Sequence, residues 1–185
     1  MKREEAEQVA RTVGWLSRQP AAFQARLLAG AELHSYAAGE TVFSMGDVAD
    51  DLWCLVSGEL SVLIAPETAM PHLFHIAQPG WWLGEGALIR ESPRRASMVA
   101  RTETWTLRVV LARIRAMACD DPEVWRRIAE ITAGHLDHAL SMVTGLIHRN
   151  SSARVALTLR HLANLEGAPI SGPVVLHTSM EELGE

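Results

Sequence analysis

Short runs of alternating or β-branched residues, separated by recurring glycines, fill the chain from about Glu32 to Val110 and restrict its fold more than any other feature. The runs are residues 40–43, 52–56, 60–64, 73–76 and 105–109, and the glycines are Gly39, Gly46, Gly58, Gly80 and Gly84. Runs of this length suit strands and are too short for ordinary helices. With turn-forming glycines between them, they predict a small antiparallel barrel or roll.

Helices are predicted on both sides of this strand region. Residues 4–29 carry apolar side chains at helical spacing, and Pro20 divides them into two short helices. The apolar positions are Val9, Val13, Leu16, Phe23, Leu27 and Leu28. Helices segregated from an antiparallel sheet indicate an α+β fold.

Residues 84–97 have the composition of a binding site for a sugar phosphate. Gly84 lets the backbone approach a ligand, and Glu85 can accept hydrogen bonds from ribose hydroxyls. An arginine of the Pro93-Arg94-Arg95 sequence can bind phosphate oxygens with both arms, and free N–H groups after it complete an anion nest. The alternative is a surface ion pair between Glu85 and Arg94, worth only ~0–1 kcal/mol.

A long helix is predicted over residues 120–149. Asp121 suits the N-cap, Pro122 the first helical position and Glu123 the positive end of the helix dipole. Apolar or small residues then follow two interleaved seven-residue steps, which form a seam of about 40 Å at 1.5 Å per residue. The seam consists of Trp125, Ala129, Thr132, Leu136, Ala139, Val143 and Leu146. It either packs on the roll or forms a parallel homodimer, and we favour the dimer because the roll is small and the seam is long.

The region after the long helix contains signals for further elements. Ser151-Ser152 marks a break, residues 154–163 form a second amphipathic helix, and residues 174–177 form a short strand. Residues 178–183 begin a capped helix close to the end of the chain at Glu185. We therefore expect the chain to be a fragment of a longer protein.

Residues 38–47, residues 52–60 and the segment from Gly84 resemble the successive signatures of the cyclic-nucleotide-binding β-roll. The order of elements, followed by residues 153–159, resembles the Crp/Fnr family of bacterial transcription regulators. The resemblance implies an α+β fold with an antiparallel β-roll (double-stranded β-helix, jelly-roll-like), flanking helices and a long C-terminal dimerisation helix. It also implies three parts: helices and β-roll in 1–119, dimerisation helix in 120–149, and an incomplete winged helix-turn-helix in 150–185.

The same resemblance assigns roles in a phosphate-binding cassette. Glu85 corresponds to the acid that holds the ribose 2′-hydroxyl, and Arg94 to the arginine that pairs with the cyclic phosphate, with Arg95 as a rival. The helix position that contacts the base in some members falls here at Ala139-Leu140. The implied binding residues are Gly84, Glu85, Gly86, Ala87, Arg94, Arg95, Ala96 and Ser97.

The implied function is a cytoplasmic, non-enzymatic transcription regulator whose effector is a cyclic nucleotide such as cyclic AMP. Its implied partners are a second copy of the chain, DNA through a C-terminal domain that is mostly missing here, and RNA polymerase. The alternative is a dimeric regulator or protein-interaction scaffold that keeps the β-roll and binds no nucleotide.

Other kinds of site find less support in the sequence. Cys54 and Cys119 lie far apart in apolar surroundings and are expected to be small buried hydrophobes. His72 and His75 should point to opposite faces of a strand, and the helical histidines are scattered, so we expect no metal. We find no motif of a hydrolase or nucleotide-triphosphate enzyme. A net charge of −5 argues against whole-chain binding to nucleic acid, and no apolar run has the length of a membrane span.

Overall fold

The computed structural model describes residues 1–65, 71–147 and 150–163. Within them, two antiparallel four-stranded sheets are flanked by helices. The helices are α1 Arg3–Thr12, α2 Gly14–Ser17, α3 Ala21–Leu28, α4 Glu85–Arg90, α5 Leu111–Asp120, α6 Glu123–Leu146 and α7 Ser151–Leu162. The strands are β1 Glu32–Tyr36, β2 Thr41–Phe43, β3 Asp51–Ser57, β4 Leu60–Ile64, β5 His72–Ala77, β6 Trp82–Leu83, β7 Ser97–Ala100 and β8 Thr104–Val110.

The two sheets face each other as a roll, with strand orders β1-β8-β3-β6 and β2-β7-β4-β5. Strand β3 is buried on both faces. Its successive side chains point to opposite sides of the sheet and therefore enter two different cores. Trp53 and Leu55 join the core inside the roll, whereas Leu52, Cys54 and Val56 join a second core beneath the helices. The sheet thus holds the helices at a fixed position against the roll.

Each strand run recognised in the sequence is a strand in the structure. The pattern missed β1, β6 and β7, of which β6 is only two residues long. Pro20 directly precedes α3, which confirms the predicted division of the N-terminal helices. A further break occurs at Gly14, whose φ of +76° and proximity to the Gly80 carbonyl leave no room for a side chain.

Helix α6 has two different faces. Val124, Ile128 and Ile131 are buried against the core beneath the helices, at the i, i+4, i+7 spacing of a packed helical stripe. The predicted seam follows another face: Trp125 and Ala139 are half-buried, and the members that are exposed are Ala129, Thr132, Leu136 and Val143. The side chain of Leu146 lies outside the described residues. One helix therefore packs on its own roll and still presents the predicted seam to solvent.

The prediction that both cysteines are buried is right for Cys54 and wrong for Cys119, which is exposed. Helix α5 buries Ile114 and Met117 against the core. Cys119 lies two residues after Met117, about 200° around the helix, and therefore faces solvent.

Helix α7 runs back along α6 after the predicted break. Asn150 caps it, its side-chain oxygen accepting from the backbone N–H groups of Ser152 at 2.9 Å and Ala153 at 3.3 Å. The two helices approach closely where Gly145 meets Leu157, 3.4 Å from the position that a glycine Cβ would take. The predicted strand 174–177, the helix start at 178–183 and the winged helix-turn-helix lie outside the described residues.

Candidate functional site

The segment that opens at Gly84 is a left-handed turn followed by the short helix α4. Gly84 has φ of +99°. A Cβ at this position would lie 2.5 Å from Nη1 of Arg94 and 2.9 Å from the carbonyl oxygen of Asp51. Glycine is therefore required both for the backbone conformation and for the close approach of the arginine.

Arg94 is buried, with 4% of its surface exposed. Its Nη2 donates to the Asp51 carboxylate and, at 3.1 Å, to the Asp51 carbonyl oxygen. The guanidinium also lies over the ring of Phe43, with Cζ 4.0 Å from the centroid. Burial lowers the pKa of Arg94, while Asp51 and other nearby carboxylates oppose this shift. Nη1 is also buried and has no hydrogen-bond partner among the described residues, so one arm of this cation lacks an acceptor.

Asp51 fixes this guanidinium from the start of β3. Its Oδ1 also accepts from the indole N–H of Trp53 at 2.7 Å, and its Oδ2 accepts from Nε of Arg108 at 2.7 Å. The carboxylate is itself buried and is held on both oxygens. Arg94 is therefore oriented before any ligand is present.

Glu85 connects the turn to the long helix. It is 5% exposed, and its Oε1 accepts from the hydroxyl of Thr132 at 3.3 Å and contacts Nδ1 of His135 at 2.9 Å. Both partners lie on α6. The alternative of a surface ion pair between Glu85 and Arg94 is wrong, because neither side chain lies at the surface.

A cavity of about 260 Å³ lies between this segment, the roll and α6. Seven of the eight cassette residues singled out from the sequence line it: Gly84, Glu85, Gly86, Ala87, Arg94, Arg95 and Ala96. Ser97 is the exception among the described residues, and its Oγ instead accepts from the backbone N–H of Met45 at 2.9 Å. Arg95, the rival of Arg94, is exposed, whereas Arg94 is buried.

Two adjacent tryptophans, Trp81 and Trp82, precede the segment that opens at Gly84 and differ in their surroundings. Trp82 is buried under the roll against Trp15, whereas Trp81 lines the cavity and stacks on His135 at 4.9 Å with an interplanar angle of 16°. Of these two adjacent indoles, one is therefore in the core and the other is at the cavity.

His135 and His138 are the residues of α6 that line the cavity. The resemblance instead directed attention to Ala139-Leu140, where Leu140 is 55% exposed. His135 and His138 continue the packed stripe after Ile131 at i+4 and i+7, and this spacing was the available signal. The sequence prediction for this helix uses the apolar seam alone, which does not include His135 or His138.

Residues 33–120 match the family described as cyclic nucleotide-binding domain. The antiparallel sheets with their flanking helices and the long helix match the β-roll fold of that domain, as the sequence predicted. Among the described residues, no helix combines the length and apolarity needed to cross a membrane.

The curated relatives differ in kind. The chain is 32% identical over 120 residues to the Pycsar effector protein XpPycTIR of Xanthomonas perforans, covering 64% of this chain and 38% of that protein. It is 26% identical over 145 residues to the CRP-like cAMP-activated global transcriptional regulator of Mycobacterium tuberculosis, covering 78% of this chain and 65% of the relative. The chain thus spans less than two thirds of either relative's length.

Solved structures share the fold at lower identity. The regulatory domain of Toxoplasma gondii PKA, crystallised with cAMP, superimposes with a TM-score of 0.63 at 16% identity. The match covers 71% of this chain and 50% of that one. At this identity, the similarity establishes the fold alone.

Proposed function

Because the chain has a Crp/Fnr-type fold in which residues 33–120 match the cyclic nucleotide-binding domain family, we propose that it is the effector-sensing part of a transcription regulator and binds a cyclic nucleotide. The observation that carries this proposal is the position of Arg94 and Glu85 on the wall of one cavity, each with an atom left for a ligand.

The cyclic phosphate binds to Nη1 of Arg94. Asp51 keeps Nη2, so the guanidinium need not leave its ion pair when the ligand arrives. A charge-assisted hydrogen bond to phosphate also supplies the partner that Nη1 lacks among the described residues. Backbone groups of Arg95 and Ala96, both at the cavity wall, add neighbouring donors.

The ribose binds to Glu85. Both hydrogen bonds from α6 reach Oε1, and within the described residues no hydrogen bond involves Oε2. Oε2 can therefore accept from a ribose hydroxyl without breaking the contact between the cassette and the long helix.

The base lies near Trp81 and the two cavity histidines. Trp81 is half-buried and offers an indole surface on which a base can stack. His135, which stacks on that indole, provides an imidazole ring at this end of the cavity. Selectivity among bases therefore depends on imidazole groups in this chain.

The effector acts by changing the balance between two dimer states. Glu85 already bonds to α6, so a ligand that reorders the cassette acts directly on the helix that carries the exposed seam. A second copy of the chain packs against that seam, and the shift alters the separation of DNA-binding domains beyond the long helix. A ligand that contacted both states equally would not switch the protein.

A second candidate output is suggested by the comparison with the Xanthomonas perforans protein, which is named an effector and is 32% identical to this chain. The same sensor would then control an effector activity instead of DNA binding. Nucleotide binding is common to both candidates, so it is the property to test first.

The test is isothermal titration calorimetry of cyclic AMP and cyclic GMP into the full chain. We expect one nucleotide per chain, and at least tenfold weaker binding in Arg94→Lys, which loses the forked donor, and in Glu85→Gln, which loses the charged acceptor. Arg126→Lys on the exposed side of α6 is the matched control and should bind as the wild type does.

Thermal unfolding of each variant verifies that it is folded. A nucleotide present at 100 times its Kd should also stabilise the wild type by about 2.7 kcal/mol. Nucleotide binding is refuted if the wild type binds neither ligand, and the phosphate contact with Arg94 is refuted if Arg94→Lys binds as tightly as the wild type.

A further inference from the structure

Three histidines from three separate elements converge beside the cavity. His75 lies on β5, His138 on α6 and His161 on α7. One ring nitrogen from each lies within 4.8 Å of the other two. Nδ1 of His75 and Nε2 of His138 are 3.0 Å apart, and the rings of His138 and His161 are separated by 3.8 Å between centroids.

This histidine cluster is buried. His75 is 0% exposed, His161 4% and His138 8%. Trp81 covers it from the cavity side, with its ring 4.4 Å from that of His75 and 5.1 Å from that of His138. A site with three convergent donors and an apolar cover meets the usual requirements for a metal in a protein.

His75 turns its Nδ1 toward His138. Its Nε2 is buried and has no hydrogen-bond partner among the described residues. A ring nitrogen buried in this way is costly, so hydrogen bonds within the described residues do not fully satisfy the cluster.

We propose that His75, His138 and His161 bind a divalent transition metal, for which Zn²⁺ is the reference ion. A set made only of imidazoles suits Zn²⁺ and excludes Mg²⁺ and Ca²⁺, which require oxygen ligands. Zn–N bonds of about 2.0–2.1 Å in a tetrahedral site separate the nitrogens by roughly 3.3 Å. One nitrogen from each of the three rings already lies within 4.8 Å of the other two, so side-chain rotations would bring the ligands to this separation.

The metal would join the cavity to the helix that follows α6. His75 and His138 line the cavity, whereas His161 belongs to α7. A bound metal therefore fixes α7 against the roll and α6, and release of the metal frees α7 to move. The proposal does not depend on nucleotide binding, because none of the three histidines is needed to hold the phosphate.

The test uses the untagged full chain, stripped with chelator and titrated with Co²⁺ and then with Zn²⁺. We expect one Co²⁺ per chain, with the visible absorption of a tetrahedral site, and its displacement by Zn²⁺. His161→Ala should weaken Co²⁺ binding at least tenfold. His72→Ala on the same strand is the matched control and should bind as the wild type does.

Hydrogen exchange provides a readout that does not require a variant. Zn²⁺ should slow exchange in α7 and β5 of the wild type and leave β1 and β2 unchanged. The proposal is overturned if the stripped wild type takes up no Co²⁺ at stoichiometric concentrations. It is equally overturned if His161→Ala, folded by circular dichroism, binds Co²⁺ as the wild type does. Either result would leave a hydrogen-bonded histidine cluster without a metal.

Discussion

At the scale of single residues, two glycines of one turn have opposite requirements. Gly84 adopts φ of +99°, and a Cβ there would collide with Arg94 and Asp51. Gly86, two residues later in α4, has no heavy atom within 4 Å of the position of a Cβ. Both glycines belong to the segment identified from the sequence, but only Gly84 is required by its surroundings.

This difference predicts opposite effects of alanine on stability. Gly86→Ala should raise the free energy of unfolding by about 0.4–1 kcal/mol, since it restricts the unfolded chain at a compatible position. Gly84→Ala should lower it by about 1–3 kcal/mol, through strain at a left-handed position. Urea unfolding measures both. Equal effects of the two substitutions would contradict this account of the turn.

At the scale of elements, α7 depends on its first turn. Asn150 satisfies two N–H groups that otherwise have no intrahelical partner, and the helix packs against α6 through the contact between Gly145 and Leu157. Short helices are marginal in water without caps and tertiary contacts. The cap therefore determines how often α7 opens.

We predict that Asn150→Ala destabilises α7 by about 1 kcal/mol, the usual cost of losing an N-cap. Hydrogen exchange of α7 amides should then be several times faster, with β3 and β8 unchanged. Ser152→Ala, also in the first turn and exposed, is the control and should exchange at the wild-type rate. Wild-type exchange rates in Asn150→Ala would show that packing alone maintains α7.

At the scale of the whole molecule, α6 is both a part of the core and an exposed apolar surface. Val124, Ile128 and Ile131 are buried, while Leu136, Leu140 and Val143 are 52–57% exposed. Isolated apolar residues at a surface are ordinary, but a row along one helix face indicates a surface that another chain covers. This is the face that the proposed regulator uses for dimerisation.

The corresponding prediction concerns oligomeric state. Sedimentation equilibrium of the wild type at micromolar concentration should give a dimer, and Leu136→Glu combined with Val143→Glu should give a monomer, because a charge on each helix would be buried in the seam. Val48→Glu, at an apolar residue that is 82% exposed and lies outside α6, is the control and should remain dimeric. A monomeric wild type would refute the seam as an interface.

The sequence by itself determined the local features of this protein. Strand-length runs between glycines, the proline before α3 and the glycine-opened turn at Gly84 each depend on backbone preferences within a few residues. The same local patterns identified seven of the eighteen residues that line the cavity, and these seven lie within one short segment. Backbone preferences of this kind depend only on neighbouring residues, so the sequence alone is sufficient to predict them.

Only the tertiary structure decided which distant groups meet. Asp51 and Arg94 are 43 residues apart, Glu85 and His135 are 50 apart, and His75 and His138 are 63 apart. Their contacts depend on the packing of α6 and α7 against the roll, and a single polar residue on a helix or strand carries no periodic signal of its partner. The buried arginine, the acid tied to the long helix and the histidine cluster therefore emerge only when the elements are assembled.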